Sequence, residues 1–553
     1  MKVRLLLFSL ILIIGSVNAQ QRSTSKASSP SFPAKVARPK LIVGIVVDQM
    51  RWDYLYRYYE RYGNGGFKRL VNEGFSAENT FIPYTPTLTA CGHASIYTGS
   101  VPAINGIIGN NWFDPQIGRD VYCVEDKNVK TVGNNSPEGL MSPKNLLVTT
   151  MTDELRLATN FKSKVISVSV KDRGAILPGG HTSNGSYWYD DPSGTFISST
   201  HYMNELPAWV QQFNAQKWPD KYLAEDWNTI YPIATYTNST ADAKPYERVF
   251  KGETTASFPH LFKQYVGKNY SMMASMPQGN SLILEFAKSA LRAEQLGQRG
   301  NTDFLAISLS STDYVGHQFG PNSIEAEDTY LRLDKDLESF FAYLDKSIGK
   351  GNYTLFLTAD HGATHVPAFS KENKMPGDGL ATKKFKTDMD SLLLAKFKLK
   401  KAIFTLINNQ VIFDTEVIHA AKADYSQVKQ ACIDYLVKQD GILNAVDIQN
   451  INSASLPEAI KMRLTNGHNA RRSGDIYYIL NPGWYPSTSP GTGHGAWNPY
   501  DSHIPAVFMG WGIKPGKSNK EYYMTDIAPT ICALLHIQQP SGAIGKVITE
   551  SLQ

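Results

Sequence analysis

Short, unbroken apolar runs punctuate this chain, and several of them end on acidic or histidine side chains. Leu41–Val47 (LIVGIVV) runs directly into Asp48. Phe304–Leu309 is followed by Asp313 and His317, and Leu355–Leu357, within YTLFLTADHGATH, leads to Asp360 and His361. The runs are β-branched or aromatic and lack the polar alternation of a half-exposed strand, so they predict parallel strands buried on both faces. Between the second and third run, SIEAEDTYLRLDKDLESFFAYLDKSI places Leu331, Leu333, Leu337, Phe340, Phe341 and Leu344 at the spacing of an amphipathic helix, with Ser323 as its N-cap. Strand, helix, strand at this length predicts a βαβ crossover. The expected class is therefore α/β, a central, mostly parallel sheet flanked by helices. In such sheets ligands collect at the carboxyl ends of the strands, and the three polar clusters fall there.

Two long stretches follow a different pattern. Residues 185–290 are rich in Tyr, Trp, Asn and Pro, and residues 368–485 form a mixed block with helical character near Ser426–Lys438. Both are expected to be insertions that build a lid or side subdomain over the strand ends, their aromatics serving as core. The first residues, MKVRLLLFSLILIIGSVNA, place Lys2 and Arg4 before an apolar run and end on Val17-Asn18-Ala19. That predicts a secretory signal peptide over 1–19. A Ser/Pro/Lys-rich tether follows over 20–38, and a catalytic domain spans 39–548. No later segment reaches the ~18 consecutive apolar residues of a membrane helix. The mature protein is expected to be periplasmic or secreted, free of membrane insertion, and a monomer.

Composition narrows the choice further. A chain of 553 residues with 42% hydrophobic and 19% charged side chains is globular. The formal charge of +5 is spread thinly and no long basic run occurs, which argues against a nucleic acid polymer as partner. Four cysteines, Cys91, Cys123, Cys432 and Cys532, are too scattered for a disulfide framework, and their pairing stays open. With no C-x-x-C spacing, any metal must rest on histidine and carboxylate.

Those residue types are present at suitable spacing. Asp313 and His317 are i, i+4, Asp360 and His361 are adjacent after a strand, Asp48 ends the first strand, and His494 lies in the Gly-rich loop of GTGHGAWNPYDSHIPAVFMG. Nitrogen and oxygen ligands from separate strand ends are what a dinuclear site requires. His361 and His365 are also i, i+4, but they lack the Glu of H-E-x-x-H, so a metalloprotease is discounted. A nucleophile is sought in PYTPTLTACGHASIYTGS (Pro83–Ser100), where Thr85, Thr87, Thr89, Cys91 and Ser95 all qualify locally. Further on, KVISVSVKDR delivers Lys171 and Arg173 after an alternating stretch, and an i, i+2 pair leaving a strand points one way.

In this order VVD, TD..GH, TADHG and GHG resemble the alkaline phosphatase superfamily. The closest branch holds the nucleotide pyrophosphatase/phosphodiesterases and the PafA-type bacterial alkaline phosphatases. The resemblance covers most of 40–190, 300–365 and 485–548, the last including YYMTDIAPTICALLHI as a closing helix. It implies two Zn2+ ions, one held by Asp313, His317 and His494 and the other by Asp48, Asp360 and His361. It also implies that Thr89, four residues before the His of GHA at a helix N-terminus, is the nucleophile and a further metal ligand. Cys91 as the modified cysteine of a sulfatase is set aside, because C-x-P-x-R is required and Gly-His-Ala-Ser follows. Asn110, rather than its neighbour Asn111, is implied as a donor to a phosphoryl oxygen. Lys171 and Arg173 mark the monoesterase type, since a monoester dianion carries one more anionic oxygen than a diester. Cations aimed at such oxygens in a dry site are worth several kcal/mol, about the value of an oxyanion donor. The implied function is an exported alkaline phosphatase that hydrolyses small phosphate monoesters through a phospho-threonine, with a phosphodiesterase/nucleotide pyrophosphatase as the alternative. The choice of zinc leans on the resemblance, not on spacing.

Overall fold

The computed structural model describes residues 36–553; the signal peptide expected over 1–19, and the tether as far as residue 35, lie outside the described residues. Nine strands carry the main sheet: β1 (Leu41–Val47), β2 (Phe75–Phe81), β3 (Val165–Ser169), β4 (Gly185–Asp190), β5 (Thr195–Ser199), β6 (Asp303–Leu309), β7 (Tyr353–Thr358), β8 (Ala506–Gly510) and β9 (Gly516–Tyr523). The order is β2-β8-β7-β1-β6-β3-β4-β5, with β9 and His503–Ile504 also on β2 and Thr131–Val132 beyond β5, making an 11-stranded sheet. From β7 through β1, β6 and β3 to β4 every neighbour is parallel, and Val43 sits in register with Leu355 on one side and Leu305 on the other. All seven residues of β1 and of β6 are buried.

The expectation of a mostly parallel sheet holds for this centre and not for the flanks. β8 is antiparallel to β7 and to β2, and β5 is antiparallel to β4, so the whole is a mixed sheet. Antiparallel neighbours need no crossover helix, and a short turn can join them. β4 and β5 are themselves such a hairpin. They extend the main sheet, so residues 185–199, expected to belong to an insertion, supply sheet strands instead.

Five helices bear on the site: α1 (Thr89–Thr98), α2 (Asp172–Gly179), α3 (Ser311–Phe319), α4 (Ile324–Leu344) and α5 (Ile527–Leu535). α4 is the predicted crossover helix. Ser323 Oγ accepts the Ala326 N–H at 3.1 Å, and the predicted apolar face is buried throughout. α5 is the closing helix.

Residues 368–485 hold a separate four-stranded antiparallel sheet of Ile403–Ile407, Gln410–Phe413, Ile476–Leu480 and Ile442–Asp447. It has its own core, with Met389, Leu393, Val411, Val428 and Leu436 fully buried. This block is latched to the segment after α1. Asn408 Nδ2 donates to the Asn111 carbonyl at 2.8 Å, and Phe404 packs on Phe113 with ring centroids 4.8 Å apart. The approach is close: a Cβ on Gly109 would lie 2.4 Å from the Asn408 amide nitrogen.

Candidate metal centre

The carboxyl ends of β1, β6 and β7 converge, and each supplies residues to one buried cluster. Asp48 follows β1, Asp313 and His317 lie on α3 just after β6, and Asp360 and His361 follow β7. His494 arrives on the loop before β8. Asp313 Oδ1 is 3.3 Å from His317 Nε2 and 3.7 Å from His494 Nε2, which makes one compact group. Asp48 and Asp360 form a second group, completed by His93. His361 stands between the groups. Its Nε2 lies 3.2 Å from Asp360 Oδ2 and 3.4 Å from Thr89 Oγ1, and its ring stacks on His494 at 3.4 Å between centroids.

The imidazoles are oriented alike. His317 Nδ1–H donates to the Thr492 carbonyl at 2.8 Å, His494 Nδ1–H to Thr87 at 2.7 Å, His361 Nδ1–H to Gly362 at 2.9 Å, and His93 Nδ1–H to Thr89 at 3.0 Å. Fixing Nδ1 on a backbone carbonyl leaves Nε2 as a lone-pair donor turned inward, the usual support of a metal-binding histidine. Two inward atoms, His93 Nε2 and Asp360 Oδ2, are buried with no hydrogen-bond partner among the described residues. Buried polar atoms are rarely left so, and two beside Asp48 and Thr89 fit a pair of cations. The donor set of histidine and carboxylate suits zinc.

Electrostatics point the same way. Burial, and then the charge of Asp48, pushes Asp360 well above the ordinary carboxylate range. Asp313 is held well below it, because His317 and Lys171 outweigh its burial. Burial lowers His361 to about 4 and, with the neighbouring His361 and His317 charges, holds His494 well below its ordinary value. The deep group is thus short of positive charge, while the Asp313 group is better compensated.

Thr89 is the first residue of α1, where the helix dipole favours an anion. Asn110 Oδ1 accepts the Ala90 N–H at 3.0 Å, so its amide is fixed beside that helix end and its Nδ2 has no partner among the described residues. Asn111 instead opens the Asn111–Asp114 strand and is exposed. Lys171 Nζ bridges the two groups, 3.1 Å from Asp48 Oδ2 and 2.6 Å from Asp313 Oδ2. Burial would lower its pKa, but Asp313 and Asp48 raise it above the ordinary value. Arg173 Nη1 donates to the Tyr122 hydroxyl at 2.9 Å, and its Nε is without a partner among the described residues. The two cations are brought together differently from the sequence expectation. β3 ends at Ser169, Lys171 is the N-cap of α2 and Arg173 lies in its first turn, so strand alternation is not what aligns them.

Cys91 is buried in the hydrophobic core, and burial pushes its thiol up. All four cysteines are free. Two participants were missed by sequence reasoning. In the sequence His93 marks only the register of Thr89. Gln49, left-handed at φ 64, donates its N–H to Asp360 Oδ1 at 3.0 Å and its side-chain amide to Asp313 Oδ1 at 2.6 Å. Its fit depends on Gly316, where a Cβ would lie 1.9 Å from Gln49 Oε1. The TD..GH motif carries that glycine, which was the available signal.

Compared with known proteins, residues 42–503 match the family described as type I phosphodiesterase / nucleotide pyrophosphatase. The alkaline phosphatase PhoV of Synechococcus elongatus is 74% identical over 554 residues, covering 100% of both chains. A protein of Myroides odoratus named a calcium-transporting ATPase is 53% identical, over 94% of this chain and 96% of its own. The crystal structure of wild-type alkaline phosphatase PafA matches with a TM-score of 0.92 at 50% identity, covering 94% of this chain and 100% of that one.

Proposed function

We propose that this chain, which belongs to the type I phosphodiesterase / nucleotide pyrophosphatase family, is an alkaline phosphatase that hydrolyses phosphate monoesters through a phospho-threonine. Its similarity along the whole length to PhoV and to PafA supports the activity. The observation that carries the reading is the convergence of inward Nε2 and carboxylate oxygens beside Thr89 Oγ1, with Lys171 bridging the two groups.

Two zinc ions would be held by Asp48, Asp360 and His361 with Thr89, and by Asp313, His317 and His494. When bound they would acidify the Thr89 hydroxyl and an attacking water and neutralise the phosphate's charge. The chain's own groups then do the following. Thr89 Oγ1 bonds to phosphorus as the bond to the ester oxygen breaks in line, and the alcohol leaves with a proton from solvent. The phosphoryl group is carried on Thr89 until water cleaves the Thr89 oxygen–phosphorus bond and releases inorganic phosphate. The α1 N-terminus, the Asn110 amide, Lys171 and Arg173 hold the non-bridging oxygens through both steps.

The alternative, a diesterase, needs an apolar surface for a second ester group where Lys171 and Arg173 stand. The transporter name of the Myroides relative finds no membrane span here: no helix among the described residues is long and apolar enough to cross a bilayer. Export to the periplasm or medium as a monomer completes the reading, and is checked by cell fractionation and solution mass. The deciding experiment compares kcat/KM for an aryl monoester and the matching diester on zinc-loaded protein, alongside metal content by elemental analysis. A ratio favouring the monoester with about two zinc per chain is expected; a diester preference would overturn the reading.

A further inference from the structure

A cavity of about 290 Å3 lies where the 368–485 block meets the loops of the metal centre. Its wall includes Leu88, the residue before Thr89, and His494. Much of the remaining wall comes from the inserted block and its exit, above all Leu406, Ile407, Trp484 and Tyr485. Trp484 is pinned: a Cβ on Gly441 would lie 2.3 Å from its Cε3, so the indole rests on a residue that must have no side chain. The Tyr485 hydroxyl lies against Gly493, where a Cβ would be 2.4 Å away, one residue before His494. That hydroxyl has no hydrogen-bond partner among the described residues. No lysine or arginine lines the cavity and Asp501 does, whereas Lys171 lies between the carboxylates of the metal centre.

We propose that this cavity receives the alcohol half of the ester, so that the inserted block selects monoesters whose alcohol is uncharged and carries a flat apolar group. The inference rests on the phosphatase reading above. A flat ring gains from burial against Trp484, Leu406 and Ile407, and pockets of this kind are apolar with a few placed polar groups. A second anion would be desolvated there with no cation to meet it. Tyr485, beside His494, is the polar group placed to hydrogen-bond the ester or alcohol oxygen at the cavity's inner end.

The test compares 2-phenylethyl phosphate with ethyl phosphate, whose alcohols are of similar basicity, so that a difference in kcat/KM reports the cavity rather than intrinsic reactivity. Wild-type protein is expected to favour the phenylethyl ester by about tenfold or more. Trp484→Ala should bring that ratio towards one, chiefly through the phenylethyl ester. Because Trp484 packs on Gly441, Leu406→Asp provides a second perturbation with the same expected loss of preference. Free 2-phenylethanol should perturb tryptophan fluorescence in the wild type and not in Trp484→Ala, a readout independent of turnover. A wild-type ratio near one, or a preference that survives both variants, overturns the proposal. Failure to hydrolyse either monoester would instead overturn the phosphatase reading.

Discussion

Two histidine–carboxylate clusters among the described residues invite comparison, and one of the two reads as a site. His260 is fully buried, with Glu253 Oε2 3.0 Å from its Nδ1 and Glu325 Oε1 3.3 Å from its Nε2. Glu253 Oε1 in turn accepts the Leu261 N–H at 2.6 Å, and Glu325 lies in the first turn of α4. The rings of Trp227, Phe250, Phe258 and Phe319 pack around the imidazole. Here the charges close on one another. At the metal centre the same residue types, with His317 and His494 only partly buried, face a common space, with Nδ1 used for anchoring and Nε2 left over. Residue type is shared, and the direction of the unsatisfied atoms is what differs.

If that contrast is functional, substitutions at the two clusters should move different quantities. Thr89→Ala should have the largest effect, a fall in turnover of about 10^4-fold or more, with loss of the phospho-enzyme burst. An intact burst would sink the assignment of Thr89. Next come the ligands. Asp360→Asn and His317→Ala should each lower activity by roughly 10^2–10^3-fold and lower the zinc content, read by elemental analysis. Chelator should reproduce the loss. Unchanged metal content in both variants would place the ions elsewhere.

A smaller effect separates the cations from the ligands. Arg173→Ala should reduce monoester kcat/KM by about 10^2-fold, in the range of a lost oxyanion donor, and leave diester turnover nearly unchanged. Its guanidinium is set by Tyr122 and the start of α2 and is no metal ligand in this reading, so metal content should hold. Equal losses on both ester classes would remove the argument for monoesters.

How far the sequence reveals these features follows from what each residue needs. β1, β6, β7 and α4 are legible because a strand buried on both faces must be continuously apolar, and a capped amphipathic helix must repeat its stripe. β9 (GKSNKEYY) is not, because an edge strand exposed along most of its length reads as a loop. β4 (GSYWYD) is wholly buried yet has the polar-aromatic composition of its neighbouring loops, so its sequence reads as part of an insertion. At the centre, the residues that end strands are legible because spacing after a strand fixes where they go. His93 and Gln49 are not. One lies on a helix buried on every side, where sequence cannot say which side is the site, and the other acts from an unusual backbone conformation.

The closed cluster gives the smallest expected effect on catalysis and the sharpest control. Burial would lower His260, but the hydrogen bonds and charges of Glu253 and Glu325 outweigh it and raise the imidazole from 6.5 to about 9. A histidine whose folded value lies above its unfolded one contributes stability that is fully present below pH 6.5. That stability declines above it and is gone once pH has risen through about 9. The full contribution is on the order of 3 kcal/mol. His260→Gln keeps a neutral hydrogen-bonding group of similar reach but removes the charge. The variant should therefore melt a few degrees below wild type near pH 6, and the gap should narrow as both are taken towards pH 10. Its kcat/KM, measured well below either melting temperature, should stay within about twofold of wild type, as for a change away from the reacting groups. A melting gap that is flat with pH would show that the Glu253–His260–Glu325 bridge holds no charge in the folded state. A loss of activity or zinc as large as that of His317→Ala would join the two clusters and end the distinction between them.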